Sequence, residues 1–132
     1  MKGTYILMME LNGDCSIEIG KQGNIPFKQG WYCYIGSGFN GLEQRIKRHM
    51  RLEKKTHWHI DYFLKEAALQ NVFIKESNEK EECIVARNFS KRFTGIPFFG
   101  CSDCRCQSHL FYDKNGKFHE LIKDLGFTSY LV

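Results

Sequence analysis

A chain of 132 residues suffices for one domain with one buried core, and its 42% hydrophobic and 14% aromatic content excludes a disordered or low-complexity protein. The net charge of +4 is modest, yet Arg45, Lys47, Arg48, Arg51, Lys54 and Lys55 crowd one short stretch with His49, His57 and His59, a local positive field that attracts phosphate. No stretch approaches the roughly 18 apolar residues that span a bilayer, and no basic, apolar and small-residue leader opens the chain, so a cytoplasmic protein without a membrane role is expected. Its six cysteines are then expected to be reduced or metal-bound rather than paired in a disulfide framework.

In chain order, residues 4–11 read as a strand, because Tyr5, Leu7 and Met9 alternate with Ile6 and Met8 before the turn Asn12-Gly13-Asp14. A second strand is predicted over 15–20. After a short Ile25-Pro26-Phe27 segment, a third, aromatic-rich strand covers 31–36, giving an antiparallel hairpin or meander. Leu42, Ile46 and Met50 then recur with helical period to about residue 52. Residues 58–68 read as a second helix and Val72-Phe73-Ile74 as a short strand. The clearest helix spans 78–93, with Asn78 as N-cap and Glu81 as its capping-box partner. A loop over 95–107, a short strand over 108–112 and a helix over 117–125 complete the chain. The expected class is α+β: a small, mostly three-stranded antiparallel sheet flanked by helices, in a single domain over 1–132 whose residues 95–132 form a Cys/His-containing extension.

Several side chains stand where chemistry needs them. On the third predicted helix, Val85, Ala86, Phe89 and Phe93 form an apolar stripe with Glu82 at its N-terminal end. A carboxylate turned to the core must be paired or metal-bound, since burying it bare is costly, and Glu82 is therefore preferred over Glu81 as a metal ligand. Arg45 and His49 are spaced i,i+4 beside the Leu42/Ile46/Met50 stripe and suit a reacting phosphate. Lys47, Arg48 and Arg51 point further outward and, with Lys54, Lys55 and His57, suit a nucleic-acid backbone. Cys101, Cys104, Cys106 and His109 place soft metal ligands within nine residues, and Cys83 can replace Cys101 if that loop folds back on the helix. Buried or hydrogen-bonded thiols without metal remain the plainer alternative.

The order Gly3-Thr4-Tyr5, Tyr34-Ile35-Gly36, Arg45-Ile46-Lys47-Arg48-His49 and Glu82 resembles the GIY-YIG nuclease superfamily over residues 3–93. A closer resemblance, to an uncharacterised branch known chiefly from archaea and thermophilic bacteria, is carried by residues 30–37, His57-Trp58-His59-Ile60-Asp61-Tyr62, Glu82-Cys83 and the run from Ser102 to Leu110. The resemblance implies a nuclease fold and an endonuclease mechanism. One Mg²⁺ or Mn²⁺ held by Glu82 would stabilise the leaving group, and Tyr5 would deprotonate the attacking water. Arg45 would neutralise the phosphate, Tyr34 would position it, and His49 would hydrogen-bond to Tyr5 or relay its proton. An unperturbed tyrosine is a poor base at neutral pH, so nearby cations are expected to favour the Tyr5 phenolate. The branch favours Cys83, Cys104, Cys106 and His109 as a structural zinc set. The 28 residues between Tyr5 and Tyr34 exceed the usual spacing, which a longer hairpin accommodates.

The expected function is a metal-dependent endonuclease acting on DNA rather than RNA, in repair or processing, with a repair-protein partner as a source of specificity. A non-catalytic nucleic-acid-binding module with a zinc-stabilised Cys/His loop is the alternative, and a thiol-based enzyme or sensor using Cys104 and Cys106 is a third.

Overall fold

The computed structural model describes residues 1–51, 54–101 and 106–130. Strand β1 (Gly3–Leu11) is followed by a two-stranded ribbon of β2 (Cys15–Glu18) and β3 (Asn24–Phe27), and then by β4 (Gly30–Ser37). Helices α1 (Leu42–Met50) and α2 (His59–Phe63) lead to β5 (Ala68–Glu76) and α3 (Glu82–Ser90). The short strands β6 (Thr94–Gly95) and β7 (Leu110–Asp113), helix α4 (His119–Asp124) and β8 (Thr128–Ser129) complete the fold. Among the described residues the main sheet has six antiparallel strands in the order β6-β7-β4-β1-β5-β8, wider than a three-stranded sheet because short strands extend both edges. No described helix is long and apolar enough to cross a membrane.

The sequence of β1 follows from its central position. Tyr5, Leu7, Met9 and Leu11 pack on one face with Leu42 and Ile46 of α1, Ile60 and Phe63 of α2, and Ile17 and Phe27 of the ribbon. Ile6 and Met8 pack on the other face with Val85, Ala86 and Phe89 of α3 and Leu121 and Ile122 of α4. A strand covered on both faces carries an almost unbroken apolar run, and each fully buried side chain of this size contributes about 1.5–3 kcal/mol through removal from water.

Several predicted boundaries shift. The strand after the Asn12-Gly13-Asp14 turn does not join β1; β2 pairs only with β3, and β1 pairs with β4, Tyr5 opposite Gly36 and Leu7 opposite Tyr34. The ribbon is thus an excursion that fills the long connection between the two tyrosines. Helix α2 ends at Phe63 and the chain turns through residues 64–67 into β5, which is far longer than Val72-Phe73-Ile74 and borders β1 along its length. Helix α3 begins only at Glu82. Asn78 does not cap it, and Glu81 does not form a capping box: its carboxylate pairs with Lys75 Nζ at 3.0 Å and accepts the Ser77 hydroxyl at 2.8 Å, which uses up the residues before the helix as a turn.

Candidate functional site

The register of β1 on β4 sets Tyr5 and Tyr34 diagonally across one face of the sheet, with ring centroids 6.4 Å apart. The glycines of both triplets serve this packing. A Cβ on Gly36 would overlap the Tyr5 phenol, and one on Gly3 would run into the Lys75 carbonyl of β5.

From α1, the buried His49 closes over Tyr5: the tyrosine hydroxyl and His49 Nε2 share a hydrogen bond of 2.6 Å. The His49 ring also lies 6.4 Å from that of Tyr34. Burial, then the neighbouring Tyr34 phenol, pushes the Tyr5 pKa well above its ordinary value, and the Arg45 guanidinium beside it only partly offsets this. Expected stabilisation of a Tyr5 phenolate by surrounding cations is therefore corrected: desolvation outweighs Arg45. His49 is lowered to about 3, mainly by burial, against the opposing pull of the Asp61 carboxylate. Both partners are thus neutral near pH 7, and His49 Nδ1 is buried without a hydrogen-bond partner among the described residues.

Around this pair, Trp58 takes two guanidiniums over its ring, Arg45 at 4.4 Å and Arg48 at 4.2 Å. Asp61, 1% exposed, organises the group. Its oxygens receive a two-pronged bond from Arg48, each contact 2.9 Å, and Oδ2 also accepts the backbone N–H groups of His57 and Trp58 at 2.8 Å. Burial alone would raise the Asp61 carboxyl, but Arg48 and these N–H groups hold it below the usual carboxylate range. The outward orientation expected of Arg48 is corrected accordingly, because its fork is committed to Asp61 and the Lys55 carbonyl. Lys54 likewise turns back to the carbonyls of His49 and Arg51. Lys47, Arg51, Lys55 and His57 are exposed. Sequence reasoning gave Asp61 and Trp58 no functional role; the available signal was an acid three residues after a helix-opening position.

Glu82 reaches the site from a different helix. The structure brings together Tyr5, Tyr34, Arg45 and His49 on one face of the sheet, while helix α3 packs its Val85, Ala86 and Phe89 on the opposite face, with Glu82 at its N-terminal end. Glu82 Oε2 is buried without a hydrogen-bond partner among the described residues, and the Glu82 charge acts on His109. His109 connects the layers. Its Nδ1 meets the Ile35 carbonyl at 3.1 Å, and its backbone both accepts from Ile35 and donates to Phe99. Gly100, beside the His109 Cβ, is packed so tightly against the Tyr34 ring that an added Cβ would approach it to 3.1 Å.

Ligand atoms of Cys83, Cys106 and His109 lie within 4.8 Å of one another, a set that could hold a metal ion. Cys104 lies outside the described residues. Cys101 is not in that set, and its thiol donates to the Phe99 carbonyl at 3.3 Å. His57 and His59 do not join it; His59 Nδ1 accepts the Gly100 N–H at 3.0 Å. The two thiol positions line a cleft with Arg87, Phe93, Phe98 and Phe111. At its rim Phe98 is 70% exposed and has a positive φ of 60°, a conformation that costs a side-chain-bearing residue roughly 1–2 kcal/mol.

The buried, neutral His49 makes acid destabilising in a defined window. Between an unfolded value near 6.5 and a folded value of about 3, the unfolded chain binds a proton that the native chain does not, so this contribution is unimpaired above 6.5 and declines as pH falls. The expected slope is about 1.4 kcal/mol per pH unit. Denaturant midpoints measured from neutral pH down to pH 4 should fall less steeply for His49→Phe than for wild type; equal slopes would contradict the burial argument.

A family model described as a domain of unknown function, DUF123, matches residues 4–128. No curated protein and no solved structure matches the chain.

Proposed function

The chain belongs to the DUF123 family, and from that premise and the geometry above we propose that it is a cytoplasmic, metal-dependent endonuclease of the GIY-YIG kind, cutting nucleic acid, DNA rather than RNA, in repair or processing. The observation that carries this reading is the Tyr5–His49 hydrogen bond beside Tyr34 and Arg45, on strands whose register brings both triplets to one place.

The pair supplies a base without a standing phenolate. As Tyr5 Oη takes a proton from the attacking water, its own proton passes to His49 Nε2, and the resulting imidazolium is stabilised by the Asp61 carboxylate nearby. Arg45, aligned by its stack on Trp58, neutralises the phosphate where charge develops. Tyr34, only partly buried, orients it at the Gly36 end of β4. The buried oxygen of Glu82, without a partner among the described residues, fits a divalent cation, Mg²⁺ or Mn²⁺, which needs one or two carboxylates and keeps most of its waters. When bound, such an ion supplies positive charge to the leaving oxygen.

Cys83, Cys106 and His109 fit zinc, whose preferred donors are thiolate and imidazole. The contact of His109 Nδ1 with the Ile35 carbonyl fixes the ring as carbonyls commonly do for metal-binding histidines. Cys104 is the fourth ligand favoured by the sequence.

A second reading, a nucleic-acid-binding module with a zinc-stabilised loop, draws on the burial of Tyr5 and the packing of helix α3 on the other face of the sheet. A divalent-metal screen over branched, nicked, flapped and single-stranded DNA, with RNA counterparts, separates the two. The nuclease reading expects cleavage in Mg²⁺ or Mn²⁺ that a chelator stops; binding without cleavage of any substrate would leave the module. Elemental analysis of the same preparation should find zinc in stoichiometric amount.

A further inference from the structure

We propose that Phe98 is a nucleobase-stacking residue, and that the substrate of this site carries an unpaired base near the scissile linkage. The inference rests on the reading that nucleic acid occupies the Tyr34 side of the molecule, and it names the class of substrate: a flap, a branch or a single strand.

Phe98 combines features that packing does not explain. Its ring is 70% exposed while the next residue, Phe99, is fully buried against Tyr34, with ring centroids 6.2 Å apart. A single exposed aromatic is ordinary, but this one is also held at a positive φ that glycine or asparagine would adopt more readily. The backbone is fixed from both sides. Its N–H donates to the Gln107 carbonyl at 2.7 Å, and its own carbonyl accepts Gln22 Nε2 at 3.0 Å, from the turn ahead of β3. Hydrogen bonds thus hold an apolar ring at the surface in a strained conformation, the pattern found where strain serves a binding role.

The position suits a strand leaving the reaction site. Gly100 lies against Tyr34, and two peptide units separate the Cα atoms of Phe98 and Gly100 by at most about 7.6 Å. That is about two nucleotide rises of roughly 3.4 Å each. The cleft that Phe98 borders has a volume of about 770 Å³ and is also lined by Arg87. An aromatic face with a cation beside it is the combination that holds unpaired nucleotides, because every base has a π-face and every linkage a charge. A fully paired duplex keeps its bases stacked on each other and offers nothing to Phe98.

The test uses the full chain and a short duplex bearing a flap, with 2-aminopurine as the first unpaired nucleotide, in Ca²⁺ so that binding is read without cleavage. Wild-type protein should quench the fluorophore and bind the flapped probe more tightly than the same sequence fully paired. Phe98→Ala should abolish the quench and weaken flap binding about tenfold, within the range one base–aromatic stack supplies, with little change on the paired probe. Phe98→Trp should restore both. Equal losses on the two probes, an undiminished quench in Phe98→Ala, or failure of tryptophan to restore it would overturn the proposal. Cleavage in Mg²⁺ with a quench indifferent to Phe98 would sink this inference alone. A Phe98-dependent quench without cleavage of any substrate would support it and sink the nuclease reading alone.

Discussion

Glu82→Ala is expected to lower divalent-dependent nicking by roughly a thousandfold, the upper range for loss of a group that stabilises transition-state charge, while nucleic-acid binding persists. The discriminating feature is stability. Removing a structural carboxylate breaks bonds and lowers the melting temperature, but Glu82 Oε2 is buried without a hydrogen-bond partner among the described residues, so its loss relieves a desolvation cost instead of creating one. The variant should therefore unfold within about 1 kcal/mol of wild type or be slightly more stable, the signature of a residue kept for function at the expense of the fold. The contact of His109 Nδ1 with the Ile35 carbonyl does not involve Glu82, so that link between the layers survives. Glu82→Gln should lose nicking to a similar extent, because a neutral amide is a poor ligand for a hard cation. Wild-type nicking by either variant, or a fall in stability of several kcal/mol, would place Glu82 among the structural residues.

Asp61→Ala should produce the largest loss of stability of any single change near the site, about 3–5 kcal/mol. Asp61 is 1% exposed and answers the Arg48 fork and two backbone N–H groups at once. Alanine leaves a partly buried guanidinium without its partner and two donors without an acceptor, which is more costly than the pair is stabilising. For a chain of this size the melting temperature should fall by roughly 10–20 °C. Asp61→Asn, which keeps an acceptor oxygen and the volume, should fall between alanine and wild type. The charge itself adds a pH signature. The folded carboxyl lies below its unfolded value, so its contribution is complete above about pH 4 and declines as pH falls through the lower folded value. Activity should drop with stability, because Arg48 and Arg45 share the Trp58 ring and Arg45 loses a neighbour that fixes the indole. A denaturation midpoint unchanged in Asp61→Ala would contradict this account of the Arg48 pair.

The sequence was most informative where side-chain period and backbone geometry agree. The alternation around Tyr5 and Tyr34 and the four-residue repeat of Leu42, Ile46 and Met50 located β1, β4 and α1, and the i,i+4 spacing of Arg45 and His49 put both beside the tyrosines. Pairing across the chain was less legible. Nothing local says that β2 leaves the sheet, since Ile17 alone in that strand is buried and its alternation would serve either partner. Residues 68–71 lack a strand signal because β5 is exposed or only partly buried until Val72. Asn78 and Glu81 fit a capping box in spacing, but Lys75 and Ser77 compete for the same carboxylate from a turn the pattern cannot see. Charge alone likewise assigned Arg48 to solvent, whereas a buried acid thirteen residues later claims it. The layer in which a helix packs is a tertiary fact, which is why the packing of α3 on the face opposite Tyr5 was not readable from its stripe.

The shared site of Tyr5, Tyr34, Arg45 and His49 is tested most directly by single-turnover cleavage of a flapped DNA in Mg²⁺, comparing wild type with Tyr5→Phe. The substitution deletes one oxygen and with it the hydrogen bond to His49. Removing a general base should slow cleavage at least a hundredfold while flap binding is unchanged. Equal rates for the two proteins, or no cleavage by wild type in any divalent metal, would contradict it.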